Sequence, residues 1–123
     1  MSTHTRADEI TLWQMYIHSS VSAIAESPEA EGITIVRTSR GNEYRFPFIP
    51  GRSFLSEVVA TLTESGDTHI LYLIHVWKNH WLDIPAYGLR QALTALYPEN
   101  ENALMMLIGE ENFVIHSIKD TMI

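Results

Sequence analysis

The strongest constraint on the fold is a run of eight almost entirely apolar residues near the middle of the chain. Residues 70–77 read Ile-Leu-Tyr-Leu-Ile-His-Val-Trp. A strand with this pattern is typical of the centre of a sheet, where both faces are covered by other layers. The run is much shorter than the ~20 apolar residues that a membrane-spanning helix needs. We therefore expect a sheet with this strand near its centre and no membrane span.

Three stretches around this strand have apolar residues at helical spacing. The first covers residues 6–25, with Thr5 as the expected N-cap, and the second covers residues 54–65. The third begins after Asp83, which is expected to cap it, and ends at Pro98. In the first stretch Ile10, Trp13, Ile17, Val21 and Ile24 recur at helical spacing, and Leu12, Met15 and Tyr16 make this helix apolar over more than one stripe.

Four further stretches are rich in β-branched, aromatic or aliphatic residues, as strands are. They are residues 33–38, 44–49, 103–108 and 113–118. The element order is then α-β-β-α-β-α-β-β, an α/β (α+β) fold with a mixed five-stranded sheet in the order 2-1-3-4-5. Pro47 cannot donate a ladder hydrogen bond, so the second strand is expected at an edge.

The handedness of strand-helix-strand connections places the second and third helices on the same face of the sheet. The other face then needs a cover, which could be the first helix or a second copy of the chain. We expect a single globular domain over residues 1–123, with residues 1–5 flexible.

The charge and the residue types exclude several classes of function. The formal net charge is -7, which disfavours nucleic acid as a partner. Cysteine is absent, so disulfides, thiolate metal sites and cysteine nucleophiles are excluded, and the cytoplasm is the expected compartment. No serine lies in a G-x-S-x-G motif.

The densest group of functional side chains follows the central strand, at the end where open sheets bind ligands. This candidate pocket comprises His75, Trp77, His80, Trp81, Asp83, Tyr87 and Arg90. Together with His69, the two histidines and Asp83 could hold zinc, but their spacing matches no known zinc motif, so we expect no metal and no cofactor. The structural interpretation is favoured: His75 is hydrogen-bonded near a strand end, Trp77 and Trp81 cover the core edge, and Asp83 caps a helix.

A second candidate is an anion site formed by Arg45, Gly51, Arg52 and Ser53. A glycine before a helix lets backbone amides approach an anion, and the arginines add charge-assisted hydrogen bonds. The alternative is that these arginines pair with nearby carboxylates on the surface.

Since no catalytic constellation stands out, the leading hypothesis is a non-catalytic protein-interaction or adaptor domain that self-associates as a homodimer. Enzyme activity is not expected under this hypothesis. The alternative is a small-molecule-binding or anion-binding domain, or an enzyme, that uses the region from His75 to Arg90.

Overall fold

The computed structural model describes residues 4–122 as helices packed on one mixed sheet. The helices are α1 (Arg6–Gln14), α2 (Ser20–Glu26), α3 (Phe54–Ser65) and α4 (Tyr87–Leu96). The strands are β1 (Gly32–Thr38), β2 (Glu43–Phe48), β3 (Ile70–Trp77), β4 (Leu82–Asp83), β5 (Leu104–Ile108) and β6 (Phe113–Ser117). Short 3₁₀ turns cover Pro98–Asn102 and Lys119–Thr121. Residues 1–3, part of the segment expected to be flexible, lie outside the described residues.

The first helix begins as predicted, with a reciprocal cap between Thr5 and Asp8. The Asp8 amide donates to Thr5 Oγ1 at 3.2 Å, and the Thr5 amide donates to Asp8 Oδ2 at 2.8 Å. The single helix predicted over residues 6–25 contains a π-helical turn at Met15–Ser19, so that α1, this turn and α2 form one rod.

Packing on the sheet distinguishes between the apolar stripes of this rod. Leu12 and Met15 are fully buried, whereas Ile10, Ile17 and Val21 are 49%, 52% and 50% exposed. The rod has two apolar stripes, and the sheet takes the one that carries the buried residues. Helical spacing could not decide between two stripes of similar hydrophobicity.

The strands follow the order β2-β1-β3-β5-β6, which confirms the predicted order of the five strands. β2, which contains Pro47, lies at an edge as predicted. β3 is antiparallel to β1 and parallel to β5. The two-residue β4, too short to predict, pairs with the end of β3 and brings Asp83 opposite His75.

Two hydrophobic clusters cover the two faces of the sheet. The rod contributes Leu12 and Met15 to one cluster, where they pack with Ile35 and Ile74. On the other face α3 and α4 contribute side chains that include Leu62 and Leu93. Both predicted crossover helices thus lie on the same face, and the first helix covers the opposite one.

Within residues 4–122, every helix is too short or too polar to traverse a lipid bilayer.

Candidate functional site

A cavity of about 300 Å³ lies at the carboxyl end of β3, between the first turns of α3 and α4. We call it the His75 cavity. Its aliphatic wall comes from Ile84, Ala86 and Leu89, at the start of α4 and in the loop before it. This is the end of the sheet where helix N-termini and loops converge, and where open α/β sheets bind ligands.

His75 is the main polar group of the cavity and is held by β1. Its Nδ1 lies 2.8 Å from Thr34 Oγ1, because Thr34 and His75 are directly opposite each other in the β1–β3 ladder. Burial lowers the pKa of His75 below its ordinary value, although the Asp83 carboxylate opposes this shift. The ring is therefore neutral at pH 7. If Nδ1 donates to Thr34 Oγ1, Nε2 is an acceptor, and if Nδ1 accepts from the hydroxyl, Nε2 is a donor.

Asp83 supplies a fixed carboxylate to the same cavity. Trp77 Nε1 donates to Asp83 Oδ2 at 2.9 Å, and the Ile84 amide donates to Asp83 Oδ1 at 2.8 Å. The predicted capping role is absent, because Ala86 is the N-cap of α4. Asp83 instead orients Trp77 and places negative charge at the cavity.

Aromatic rings form the remaining walls. Phe48 packs edge-on against Phe54 with ring centroids 5.5 Å apart, and against Trp77 at 6.3 Å. Trp77 also meets the His75 imidazole at 4.5 Å and 83°. These contacts fix the rings beside the polar groups.

Two of the predicted pocket residues, His80 and Trp81, lie outside the cavity in the turn between β3 and β4. His80 takes a left-handed conformation with φ of 67°, and its carbonyl accepts a hydrogen bond from the Tyr16 hydroxyl at 2.8 Å. The side chain of Trp81 is 57% exposed.

Tyr87 and Arg90 are also outside the cavity. The Arg90 guanidinium is buried and donates to the carbonyls of Pro85 at 2.9 Å and Thr121 at 3.0 Å. It also lies 5.5 Å from the ring centre of Tyr87, which is 55% exposed. Arg90 therefore connects α4 to the C-terminal turn, and of the seven predicted pocket residues only His75, Trp77 and Asp83 line the cavity.

Sequence reasoning did not identify the cavity residues outside the segment from His75 to Arg90. Thr34 is one of two threonines in β1, and the register with β3, which the sequence does not show, selects it as the partner of His75. Phe48 and Phe54 lie on either side of the Pro50-Gly51 turn. Only the three-dimensional path of that turn shows that both rings reach the end of β3.

The proposed anion-binding residues are engaged with separate carboxylates. Arg45 pairs with Glu43 at 3.1 Å and Glu26 at 3.7 Å, which places it on the rod side of the sheet. Arg52 pairs with Glu57 at 4.0 Å, at the start of α3. Gly51 has a φ of 88° and permits the turn before α3, and Ser53 makes no side-chain cap. The structure therefore does not gather these residues around one anion.

The histidines and acids of the part of the chain described do not form a metal-binding group of three. His69 lies near Glu99, with Nε2 3.9 Å from Oε2, and packs on Tyr97. His69 therefore contacts neither His75 nor Asp83 in these pairs.

A wider and more open cleft of about 470 Å³ lies between α1 and β6. The rings of Trp13 and Phe113 form its floor and pack edge-on at 4.8 Å. His4 and Glu9 at its rim contact each other at 3.6 Å. Its polar groups lie on the rim, whereas His75 and Thr34 of the His75 cavity are buried, so we take the latter as the candidate site.

Comparisons with known proteins give matches at the level of structure alone. No family model matches the chain, and no curated protein does. A cytidine deaminase from Mycobacterium leprae has a TM-score of 0.64 and 13% identity, and the match covers 96% of this chain and 98% of that one. A mutant cytidine deaminase from Mycobacterium tuberculosis has a TM-score of 0.64 and 17% identity, over 89% and 90% of the two chains.

These matches correct the leading functional hypothesis. The expectation of a non-catalytic protein-interaction or adaptor domain is wrong, because the proteins that share this architecture over nearly their whole length are enzymes named for a small substrate. The alternative, a small-molecule site in the region from His75 to Arg90, agrees better with them. At this level of identity the similarity concerns architecture, and it shows that the chain has the cytidine deaminase fold.

Proposed function

We propose that the chain binds a small, uncharged, planar heterocycle, such as a nucleoside or nucleobase, in the His75 cavity. The observation that carries the proposal is that a neutral imidazole and a fixed carboxylate line the same partly enclosed, aromatic-walled cavity. Cavities of this kind bury most of a ligand's surface and orient it with a few polar groups.

The charge of the cavity selects against anionic ligands. Asp83 is the charged lining residue, and the arginines nearest in sequence to the site are engaged elsewhere. A phosphate would therefore meet a carboxylate without a compensating cation, in a protein whose formal net charge is -7. A ligand with N–H donors can instead pair with Asp83 and with His75 Nε2.

The shared fold supports the same class of ligand, because the matched enzymes are named for cytidine. Zinc deaminases hold their ion with a His or Cys and two Cys, and use a Glu as general acid and base. This chain has no cysteine, and Thr34 already engages His75 Nδ1 in the cavity. The side chains of the cavity do not fit zinc, so the proposal is that the chain binds the ligand, without deamination.

The proposal is tested by isothermal titration with cytidine, uridine, adenosine, free cytosine and cytidine 5′-monophosphate. We expect at least one uncharged compound to bind with one site per chain, and the monophosphate to bind at least about tenfold more weakly, a difference of about 1.4 kcal/mol. Binding of none of the uncharged compounds would contradict the proposal.

Two matched variants locate the binding site. His75→Gln removes the imidazole from the cavity and is expected to weaken binding about tenfold or more, the value of one hydrogen bond to a buried group. His69→Gln makes the same change outside the cavity, beside Glu99, and should leave affinity unchanged. Equal affinity in both variants would place the ligand elsewhere.

We propose that the partner of this chain is a second copy of itself. The sheet faces are covered, but Ile10, Ile17 and Val21 form a half-exposed apolar stripe along the outer side of the rod. Burying apolar surface contributes about 25 cal/mol per Å², and a symmetric dimer is the commonest way for a protein to bury such a stripe. Light scattering over a dilution series should show a dimer that Ile17→Glu dissociates, and a monomer of 14.0 kDa at every concentration would contradict it.

For the compartment and for nucleic acid, our proposals rest on composition. The chain has no cysteine, which fits a reducing compartment such as the cytoplasm. Its excess of acidic residues opposes binding to a phosphate backbone, and Arg37 and Arg45 are paired with Glu43. We expect no band shift with DNA or RNA at physiological salt.

A further inference from the structure

The starts of α3 and α4 contain the spacing, but not the ligands, of a zinc deaminase centre. Such centres combine a stretch of the form H-x-E with one of the form P-C-x-x-C. Here the first turn of α3 reads Leu55-Ser56-Glu57, and α4 is entered through Pro85-Ala86-Tyr87-Gly88-Leu89. Each stretch keeps the motif residue that does not bind the metal, Glu57 in the first and Pro85 in the second. The three ligand positions correspond to Leu55, Ala86 and Leu89.

The structure brings these three positions together. Leu55, Ala86 and Leu89 all line a groove of about 450 Å³, which shares part of its wall with the His75 cavity. A Cβ placed on Gly88 would lie 3.5 Å from Leu55 Cδ1, which shows how closely the two helix starts approach. Two stretches thirty residues apart in the printed chain thus converge at the positions that the spacing selects.

None of the three side chains carries an atom that can coordinate a metal, since zinc binds thiolate, imidazole or carboxylate. Glu57, the glutamate of the first stretch, has a different partner. Glu57 is half-exposed and pairs with Arg52, and it lines neither the groove nor the cavity.

We propose that Leu55, Ala86 and Leu89 occupy the three positions at which this fold holds a zinc ion, so that an apolar groove replaces the metal centre. The inference does not depend on the ligand proposed for the His75 cavity, because it concerns the metal positions alone.

The test is to restore the donors. The variant Leu55→His, Ala86→Cys, Leu89→Cys should bind one zinc ion per chain, whereas the wild-type chain should bind none. Zinc should raise the melting temperature of the variant, and a chelator should reverse the rise, because an ion held only by the folded chain stabilises it. Zinc content is measured by elemental analysis after dialysis.

The control keeps the histidine and removes the thiolates. The variant Leu55→His, Ala86→Ser, Leu89→Ser has side chains of similar size, and its zinc affinity should be at least about 100-fold weaker. A folded restored variant that binds zinc no better than this control would overturn the proposal.

A second variant covers the case in which substitution of the buried Leu89 prevents folding. Leu55→Cys with Ala86→Cys leaves Leu89 in place, and the two thiols should together capture one phenylarsine oxide, a reagent that requires neighbouring thiols. The matched variant Val59→Cys with Ala86→Cys moves one thiol a turn along α3, away from the groove, and should not. Capture in neither variant, or equally in both, would overturn the proposal.

Discussion

Gly32 opens β1 directly against the end of β3, where any side chain would collide with the site. A Cβ at this position would lie 3.0 Å from the Val76 carbonyl oxygen, 3.0 Å from Trp77 Cε3 and 3.1 Å from His75 Nε2. The Val76 contact is with backbone, which cannot move without disturbing the β1–β3 ladder. The close approach of these strands therefore depends on glycine.

We accordingly predict that Gly32→Ala lowers the free energy of unfolding by about 1–3 kcal/mol, as overpacking does, and weakens ligand binding. Gly88→Ala is the matched control. Its Cβ would make an ordinary contact at 3.5 Å, so the helix should gain up to about 1 kcal/mol. Urea denaturation measures both, and equal effects of the two substitutions would contradict the packing described here.

The His75 imidazole should make stability depend on pH near neutrality. Its pKa in the folded chain is lowered by burial below the ordinary 6.5, so the unfolded chain takes up the proton first as the pH falls. The stabilisation present above pH 6.5 is therefore lost as the pH falls below that value. Hydrogen bonds from Asn42, Thr38 and Tyr44 outweigh burial and lower the pKa of Asp67, whose contribution is lost only at more acidic pH.

The measurement is the unfolding free energy of the wild type relative to His75→Gln between pH 8 and pH 5. The difference should decline with falling pH, because only the wild type contains the buried imidazole. A difference for His75→Gln that does not change with pH would mean that the imidazole is not held neutral by burial.

Residue chemistry was only partly predictable from the sequence. His75, Trp77 and Asp83 could be placed together because they follow the most recognisable strand of the chain. Arg90 could not be assigned correctly, because its acceptors include Pro85 and Thr121, and the second is distant in sequence. The sequence does not distinguish a buried arginine that donates to carbonyl groups from one that donates to a ligand.

At the scale of elements, Arg90 joins α4 to the C-terminal turn by hydrogen bonds to Thr121. We predict that Arg90→Met lowers the free energy of unfolding by about 2–3 kcal/mol, because it leaves the carbonyls of Pro85 and Thr121 without a charged donor. Ligand affinity should change less than about threefold, since Arg90 does not line the cavity. Arg52→Met, at an exposed pair, should change stability by less than about 0.5 kcal/mol.

These two quantities are measured by chemical denaturation and by titration with the ligand below the melting temperature. If Arg90→Met abolished binding while leaving stability intact, the residue would have the ligand-contacting role that its position in the sequence suggested.

The elements that the sequence predicted well are those with a single apolar pattern. α3, the central strand β3 and the two C-terminal strands were identified because burial imposes a single apolar pattern on each of them. The rod was harder, because its π-turn and its second apolar stripe are decided by packing on the sheet. β4 exists only because the turn after Trp77 brings two residues back onto β3.

At the scale of the whole molecule, chain order and handedness were sufficient to predict the strand order and the common layer of α3 and α4, but not what covers the opposite face. Function was not predictable in the same way, because the similarity to cytidine deaminases is one of architecture alone, and under our proposal the metal positions of that fold are apolar here. A search for catalytic residue types therefore finds nothing at the positions that matter. Under our two proposals, this fold keeps a binding cavity and has lost its metal ligands.

Tryptophan indole signals in an NMR titration give the most direct test of this account. The chain has three tryptophans: Trp77 in the His75 cavity, Trp13 at the other cleft and the exposed Trp81. Addition of pooled uncharged nucleosides and nucleobases should shift the Trp77 signal, leave those of Trp13 and Trp81 in place, and return the compounds chemically unchanged. A stationary Trp77 signal at millimolar concentrations, or recovery of a compound that has lost its amino group, would contradict it.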